Sequence, residues 1–176
     1  IITYSNTIIA KKDSINLLFG TKKSASLKTL LKKDKLKLGL THGRAYGGVI
    51  DQLLSTYAGT NKNIFFRSGQ NELLGLLEMM DHKRIDYTIG YPWEVAYLAN
   101  QINKRNQYSV ISIRETEGQQ WVLSYAGCPK NEWGKKFIQK LNAVLIKVRP
   151  KEDYIHHLLK WYPPEIETDI RQAYQQ

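Results

Sequence analysis

Three short loops hold most of the chain's capacity for chemistry. His42-Gly-Arg-Ala-Tyr-Gly-Gly48 follows an apolar run and precedes a segment with helical spacing. There, backbone N–H groups at a helix start, with Arg44 among Gly43, Ala45 and Tyr46, suit a carboxylate or similar anion. The simpler reading is a tight glycine turn with a solvated Arg44. Gly43 to Gly48 has G-x-x-x-x-G spacing, but Val49 and Ile50 stand where a nucleotide-binding loop needs Lys and Ser or Thr, which argues against a nucleotide hydrolase. Tyr91-Pro-Trp-Glu94 puts Tyr91, Trp93 and the carboxylate of Glu94 at another helix start. Such a group suits an apolar or cationic ligand through stacking, cation–π contact or an ion pair. Equally, Glu94 complements the helix dipole and Trp93 is core packing. Arg67-Ser-Gly69 is a third loop of this kind, and Arg67 is either a further anion contact or a surface arginine.

Other chemistries lack support. The chain has no Gly-x-Ser-x-Gly elbow, no H-E-x-x-H and a single cysteine, Cys128. His156 and His157 are adjacent in a helix-like segment, so they point apart and cannot chelate as an i, i+4 pair would. No catalytic residue, metal or cofactor is expected.

The elements that must position these loops alternate regularly. Residues 1–10 read as extended, followed by a polar linker. A short helix capped by Ser26 precedes a strand over Lys37–Thr41, and Val49–Tyr57 has helical apolar spacing. Ile64–Arg67, Ile85–Ile89 and Tyr108–Ile113 read as strands, separated by helices over Asn71–Met80 and Pro92–Ile102. The order predicts an α/β fold with a mainly parallel sheet flanked by helices. In such sheets ligands bind beyond the carboxyl ends of the strands, which is where the three loops fall. Beyond them come a strand over Gln119–Tyr125, a long amphipathic helix over Asn131–Val148, and a last helix over Glu152–Tyr162 stopped by Pro163 and Pro164.

The 176 residues carry 26 basic and 16 acidic side chains, a net charge of +10. A chain of this length buries a core without disulfides or a structural metal, and no apolar run is long enough to span a membrane. Much of the charge sits in the lysines from Lys11 to Lys37. That cluster is poor in Arg and aromatics, so it reads as solvated surface, with nucleic-acid binding the alternative. The β-branched start at Ile1 has neither an initiator Met nor a signal-like pattern, so an upstream segment is expected to have been removed.

Several segments together resemble the bacterial extracellular solute-binding proteins of family 3. Tyr4-Ser-Asn-Thr-Ile-Ile-Ala, a linker, and then Ser26-Leu-Lys through Leu36-Lys-Leu-Gly-Leu-Thr-His-Gly-Arg44 look like that family's crossover strand and following region. Lys83-Arg-Ile-Asp-Tyr-Thr-Ile-Gly90 resembles its G-x-x-D-A strand. Gln120-Trp-Val-Leu-Ser-Tyr125, Asn131–Asn142 and Asp153–Tyr162 resemble its closing strand and helices. The resemblance implies a type II periplasmic-binding fold, with one complete lobe and part of the other. Residues 1–23 would be the hinge strand and linker from lobe 1 and 24–112 the complete lobe 2. Residues 113–176 would be the return strand and C-terminal helices on lobe 1, whose N-terminal part is absent.

The implied function is periplasmic capture of a small polar solute, amino-acid-like or otherwise carboxylate-bearing, by a monomeric, non-enzymatic protein serving an ABC-type transporter permease. The alternative within the fold is a ligand-sensing domain of a membrane receptor or regulator. Two departures leave the ligand class open. Gly43-Arg44 stands where the family usually has Gly-Thr or Gly-Ser, and Tyr91 stands where an acidic residue usually meets an amine, with Glu94 the nearest carboxylate.

Overall fold

The computed structural model describes residues 2–20, 23–104 and 106–175. They form two compact units, one of residues 5–120 and one of residues 2–4 with 121–175, so the chain passes between units twice. In chain order the elements are β1 (Ile2–Tyr4), β2 (Thr7–Lys11), α1 (Lys12–Phe19), β3 (Ser24–Ala25), α2 (Leu27–Leu31), β4 (Leu38–Thr41), α3 (Gly48–Ala58) and β5 (Ile64–Arg67). There follow α4 (Glu72–Asp81), β6 (Tyr87–Gly90), α5 (Pro92–Gln101), β7 (Tyr108–Ile113), a 3-10 turn (Arg114–Thr116) and β8 (Trp121–Leu123). The chain continues through α6 (Glu132–Val148), α7 (Glu152–Leu159), a second 3-10 turn (Pro164–Ile166) and α8 (Glu167–Gln175).

The larger unit is built on a six-stranded sheet of order β3-β7-β2-β6-β4-β5. The pairs β3–β7, β6–β4 and β4–β5 are parallel, and only β2 runs against both of its neighbours. Its strands are apolar without alternation, Thr7–Ala10 and Leu38–Thr41 being buried throughout, because helices cover both faces. Ile8, Leu38, Leu40 and Tyr87 pack with Leu27 and Leu30 of α2 and Ile50 and Leu54 of α3 in one core cluster. Helix α4 lies against β2, β4 and β6, and α5 against β7. The reversal of β2 places Thr7 opposite Gly90, the last residue of β6. The chain therefore enters this unit at the sheet end where β4, β5 and β6 finish.

Two expectations are corrected. Residues 12–19, read as linker, form α1, a surface helix with Phe19 its one buried residue and Ile15 and Leu18 leaning on the core. The tail does not stop at Pro163-Pro164. Pro164 opens the 3-10 turn, where a missing N–H costs nothing; the turn buries Ile166, and α8 follows and buries Ile170 and Tyr174.

An ion cluster on Asp81 ties the far end of β2 to α4 and β7. Lys11 lies 3.2 Å from the carboxylate, Lys104 pairs with its other oxygen, and the Tyr108 hydroxyl donates to it at 2.9 Å. Burial opposes the charge of Asp81, but the bonds from Lys104, Tyr108 and Lys11 outweigh it and hold the carboxyl below the usual carboxylate range. A carboxyl depressed on folding stabilises the fold above its unfolded value, about pH 3.9, and loses that contribution as pH falls through the lower folded value. Asp81→Asn is therefore expected to be less stable than the parent at pH 7, with the gap narrowing as pH falls below the ordinary carboxylate range. Urea midpoints across that range check this; a gap independent of pH would contradict it.

In the smaller unit, tyrosines bind the strand pair to the helices. β1 pairs antiparallel with β8, Tyr4 opposite Trp121. The Tyr174 hydroxyl donates to the Ile2 carbonyl at 2.6 Å, and that of Tyr4 donates to Asp169 at 3.2 Å. Tyr4, Ile155, Tyr162, Ile166, Ile170 and Tyr174 are all buried. By contrast α6 buries only Gly134, and its Trp133 and Phe137 rings stack on one another at 5.4 Å while remaining exposed.

Candidate ligand-binding site

The loop after β4 is held by its own side chains. Gly43 and Gly47 have φ of 73° and 113°, which lets residues 42–47 turn sharply into α3. The N–H groups of Tyr46 and Gly47 donate to the Asp51 carboxylate at 2.9 and 3.1 Å, so these donors at the helix start are satisfied internally. Tyr46 is buried, and its hydroxyl accepts from the Thr41 N–H at 2.8 Å. Burial pushes that hydroxyl's pKa up, against the pull of the Thr41 bonds and the Arg44 charge. The Tyr46 carbonyl accepts from the Asn6 amide at 2.8 Å, which fastens the loop to the start of β2.

Arg44 reaches from this loop to the first turn of α5, just after β6. Its terminal nitrogens donate to the two carboxylate oxygens of Glu94 at 3.1 and 2.7 Å, a fork-to-fork pair. The guanidinium lies 5.5 Å from the ring centre of Tyr46 and 5.3 Å from that of Tyr91. Tyr91 stacks on Trp93 at 5.7 Å with ring planes 15° apart, and Trp93 stays 39% exposed. Burial works against the Arg44 charge, but Glu94 outweighs it and the pKa rises.

The structure thus brings Arg44, Tyr46, Tyr91, Trp93 and Glu94 into one cluster, with Gly43 and the exposed Ala45 in the loop that frames it. Arg67 takes a different course. Its carbonyl accepts from the His42 N–H at 2.8 Å, and its side chain lies along α4, where a Cβ on Gly75 would sit 2.0 Å from Nε. That Nε is buried without a hydrogen-bond partner among the described residues. Gly75→Ala is therefore expected to turn the Arg67 side chain outward at little cost, while helix propensity gains about 1 kcal/mol. An unchanged or raised melting midpoint is the expected result; a clear loss of stability would mean Arg67 is needed where it lies.

Asn6, Thr41 and Asp51 support the site and did not stand out by residue type. Only Asp51, an acid in the first turn of a helix after glycines, carried a readable capping signal. The Arg44–Glu94 pair alters what the site can bind. Glu94 takes one N–H from each terminal nitrogen, so the guanidinium keeps further donors, and the carboxylate keeps lone pairs. The cluster therefore offers donors and acceptors side by side with an exposed indole face, in place of an unpaired cation. Among the described residues no group of three or more His, Cys, Asp or Glu side chains is placed to hold a metal.

The chain matches no protein-family model and no curated protein sequence. Its fold does recur among solved structures. It is similar to the periplasmic binding protein XoxJ from Methylobacterium extorquens AM1, with a TM-score of 0.57 and 16% identity over 99% of this chain and 67% of that one. A substrate-binding protein of a polar amino acid ABC uptake transporter from Streptococcus thermophilus gives 0.58 and 15% identity over 99% and 60%. An ancestral amino acid-binding protein, AncCDT-1, described as a precursor of cyclohexadienyl dehydratase, gives 0.52 and 17% identity over 93% and 59%. The chain thus has the α/β fold of periplasmic solute-binding proteins and spans 59–67% of the length of these three. Among the described residues no helix is long and apolar enough to cross a membrane.

Proposed function

We propose that this chain is a non-enzymatic, periplasmic solute-binding protein that delivers a small polar solute to an ABC-type transporter. Residues 5–120 are read as the complete lobe 2, and residues 2–4 with 121–175 as belonging to lobe 1. The two crossings between units, at 4–5 within segment 1–10 and at 120–121 within segment 114–125, act as the hinge, and ligand shifts the population toward the closed form. The rest of lobe 1 would pack on the apolar side of α6. One observation carries the reading: a charge-paired Arg44–Glu94, bracketed by Tyr46 and Tyr91, joins the loop at the carboxyl end of β4 to the start of α5 beyond the carboxyl end of β6. Adjacent opposite charges suit a zwitterion or an amide better than a simple anion. A solute carrying both carboxylate and ammonium would satisfy Arg44 through the donors left over and Glu94 through its lone pairs, with its side chain on Trp93.

A thermal-shift screen of the full chain against amino acids, short carboxylates and amines tests this. At 100 times Kd a ligand stabilises by about 2.7 kcal/mol. A zwitterionic ligand should raise the midpoint, and Trp93→Ala should abolish the rise. If no member of the panel stabilises the chain, or if the rise persists in both Arg44→Ala and Trp93→Ala, the reading fails.

A further inference from the structure

A concavity lies in the larger unit, at the β3 edge of the sheet and far along the strand order from β4 and β5. It has a volume of about 170 Å³. Leu18, Phe19, Ala25 and Leu30 form its apolar wall, and the last three belong to the main core cluster, so the core itself comes to the surface here. Lys33 and Arg114 stand at the same cavity, both exposed, and among the described residues neither is in an ion pair.

The absence of a counter-ion has a local cause. Glu115, next to Arg114, is committed to the start of α2, where it accepts from the Ser26 hydroxyl at 2.6 Å and from the N–H groups of Leu27 and Lys28 at 2.9 and 3.0 Å. Burial opposes that charge, but Ser26 and the backbone donors outweigh it, and the carboxyl is held below its ordinary range. The Ser26 oxygen is in turn occupied by Thr29, whose N–H and hydroxyl both donate to it. Glu115, Ser26 and Thr29 are thus engaged with one another and with the start of α2, and two cations remain beside an apolar hollow. An apolar wall with cationic groups at its edge matches an anion that has an apolar body and a single charged head.

We propose that this cavity binds a small amphipathic monocarboxylate, its hydrocarbon part against Leu18, Phe19 and Leu30 and its carboxylate held by Lys33 and Arg114. The site is separate from the Arg44–Glu94 cluster, and the proposal does not rest on the function given to that cluster.

Isothermal titration of the full chain with hexanoate tests it, with hexanamide and inorganic phosphate as comparison probes. Saturable one-to-one binding of hexanoate is expected, with at least tenfold weaker binding of hexanamide, which lacks the charge, and of phosphate, which lacks the apolar body. Lys33→Gln combined with Arg114→Gln should weaken hexanoate at least tenfold while leaving the melting midpoint of the unliganded chain in place, since both side chains are exposed. No saturable hexanoate binding overturns the proposal, as does binding that the double substitution leaves unchanged. Phosphate binding as tight as hexanoate would reduce the site to surface charge. Displacement of hexanoate by an amino acid that stabilises the chain would assign it to the other site, with the same consequence.

Discussion

Arg44→Ala is expected to lower the unfolding free energy of the larger unit by about 2–3 kcal/mol. The range lies between exposed ion pairs, worth about 1 kcal/mol or less, and fully buried ones, whose disruption costs about 3–5 kcal/mol. Here the side chains of Arg44 and Glu94 are 18% and 25% exposed. The fork is lost, Glu94 keeps a charge it cannot fully hydrate, and the rings of Tyr46 and Tyr91 lose a cation worth about 0.5–1 kcal/mol at each face. Glu94→Ala should be similarly costly, and the double variant should recover about 1.5–2 kcal/mol of the summed losses, because neither partner is then left unpaired. Arg44→Lys should behave more like Arg44→Ala than like the parent, since an ammonium cannot reproduce the planar fork. Urea unfolding followed by Trp93 emission in a background with the other tryptophans replaced by phenylalanine measures all four. Additive single effects would show that the pair is not energetically coupled.

The second large effect is expected at Gly134→Ala. A Cβ at that position would lie 2.1 Å from the carbonyl oxygen of Pro129, a backbone atom that cannot swing aside as the Arg67 side chain can at Gly75. The Gly134 N–H also donates to the Asn131 side chain at 2.8 Å, the N-cap bond of α6, so relieving the clash strains the cap. Overpacking and cap loss together exceed the gain of about 1 kcal/mol in helix propensity and leave a net cost of about 2–3 kcal/mol. Gly127→Ala, where a Cβ meets nothing within 4 Å, is the control and should be neutral. Trp121, Trp133 and Trp161 all lie in the smaller unit, so the emission of the otherwise unaltered chain reports chiefly on the transition that Gly134 controls. A Gly134→Ala midpoint equal to that of Gly127→Ala would refute the argument.

The strand and helix order was legible because the buried strands are short apolar runs and the helices between them repeat apolar residues every three or four positions. α1 was missed although Ile15, Leu18 and Phe19 fall at helical spacing, because only Phe19 is buried and Leu17 is exposed in a Lys-, Ser- and Asn-containing segment that reads as a polar linker. The last turn and α8 did carry a readable signal in the four-residue spacing of Ile166, Ile170 and Tyr174, which the preceding proline pair masked. Both site loops were legible from their position between strand and helix, whereas their joining was not. Arg44 and Glu94 are 50 positions apart, and their meeting depends on β4 lying beside β6, a neighbour relation that periodicity does not encode. The reversed β2 is equally silent in sequence, yet it carries Asn6 to the glycine loop.

The amide of Ser5 donates to the carbonyl of Gln120 at 2.8 Å, so the two ends of the larger unit are held side by side. A module with its ends in register can be cut out and sealed. A gene encoding residues 5–120 alone, or one whose old ends are bridged by a few glycines and reopened at the exposed turn near Gly59, leaves every strand pair of the six-stranded sheet with its present partner.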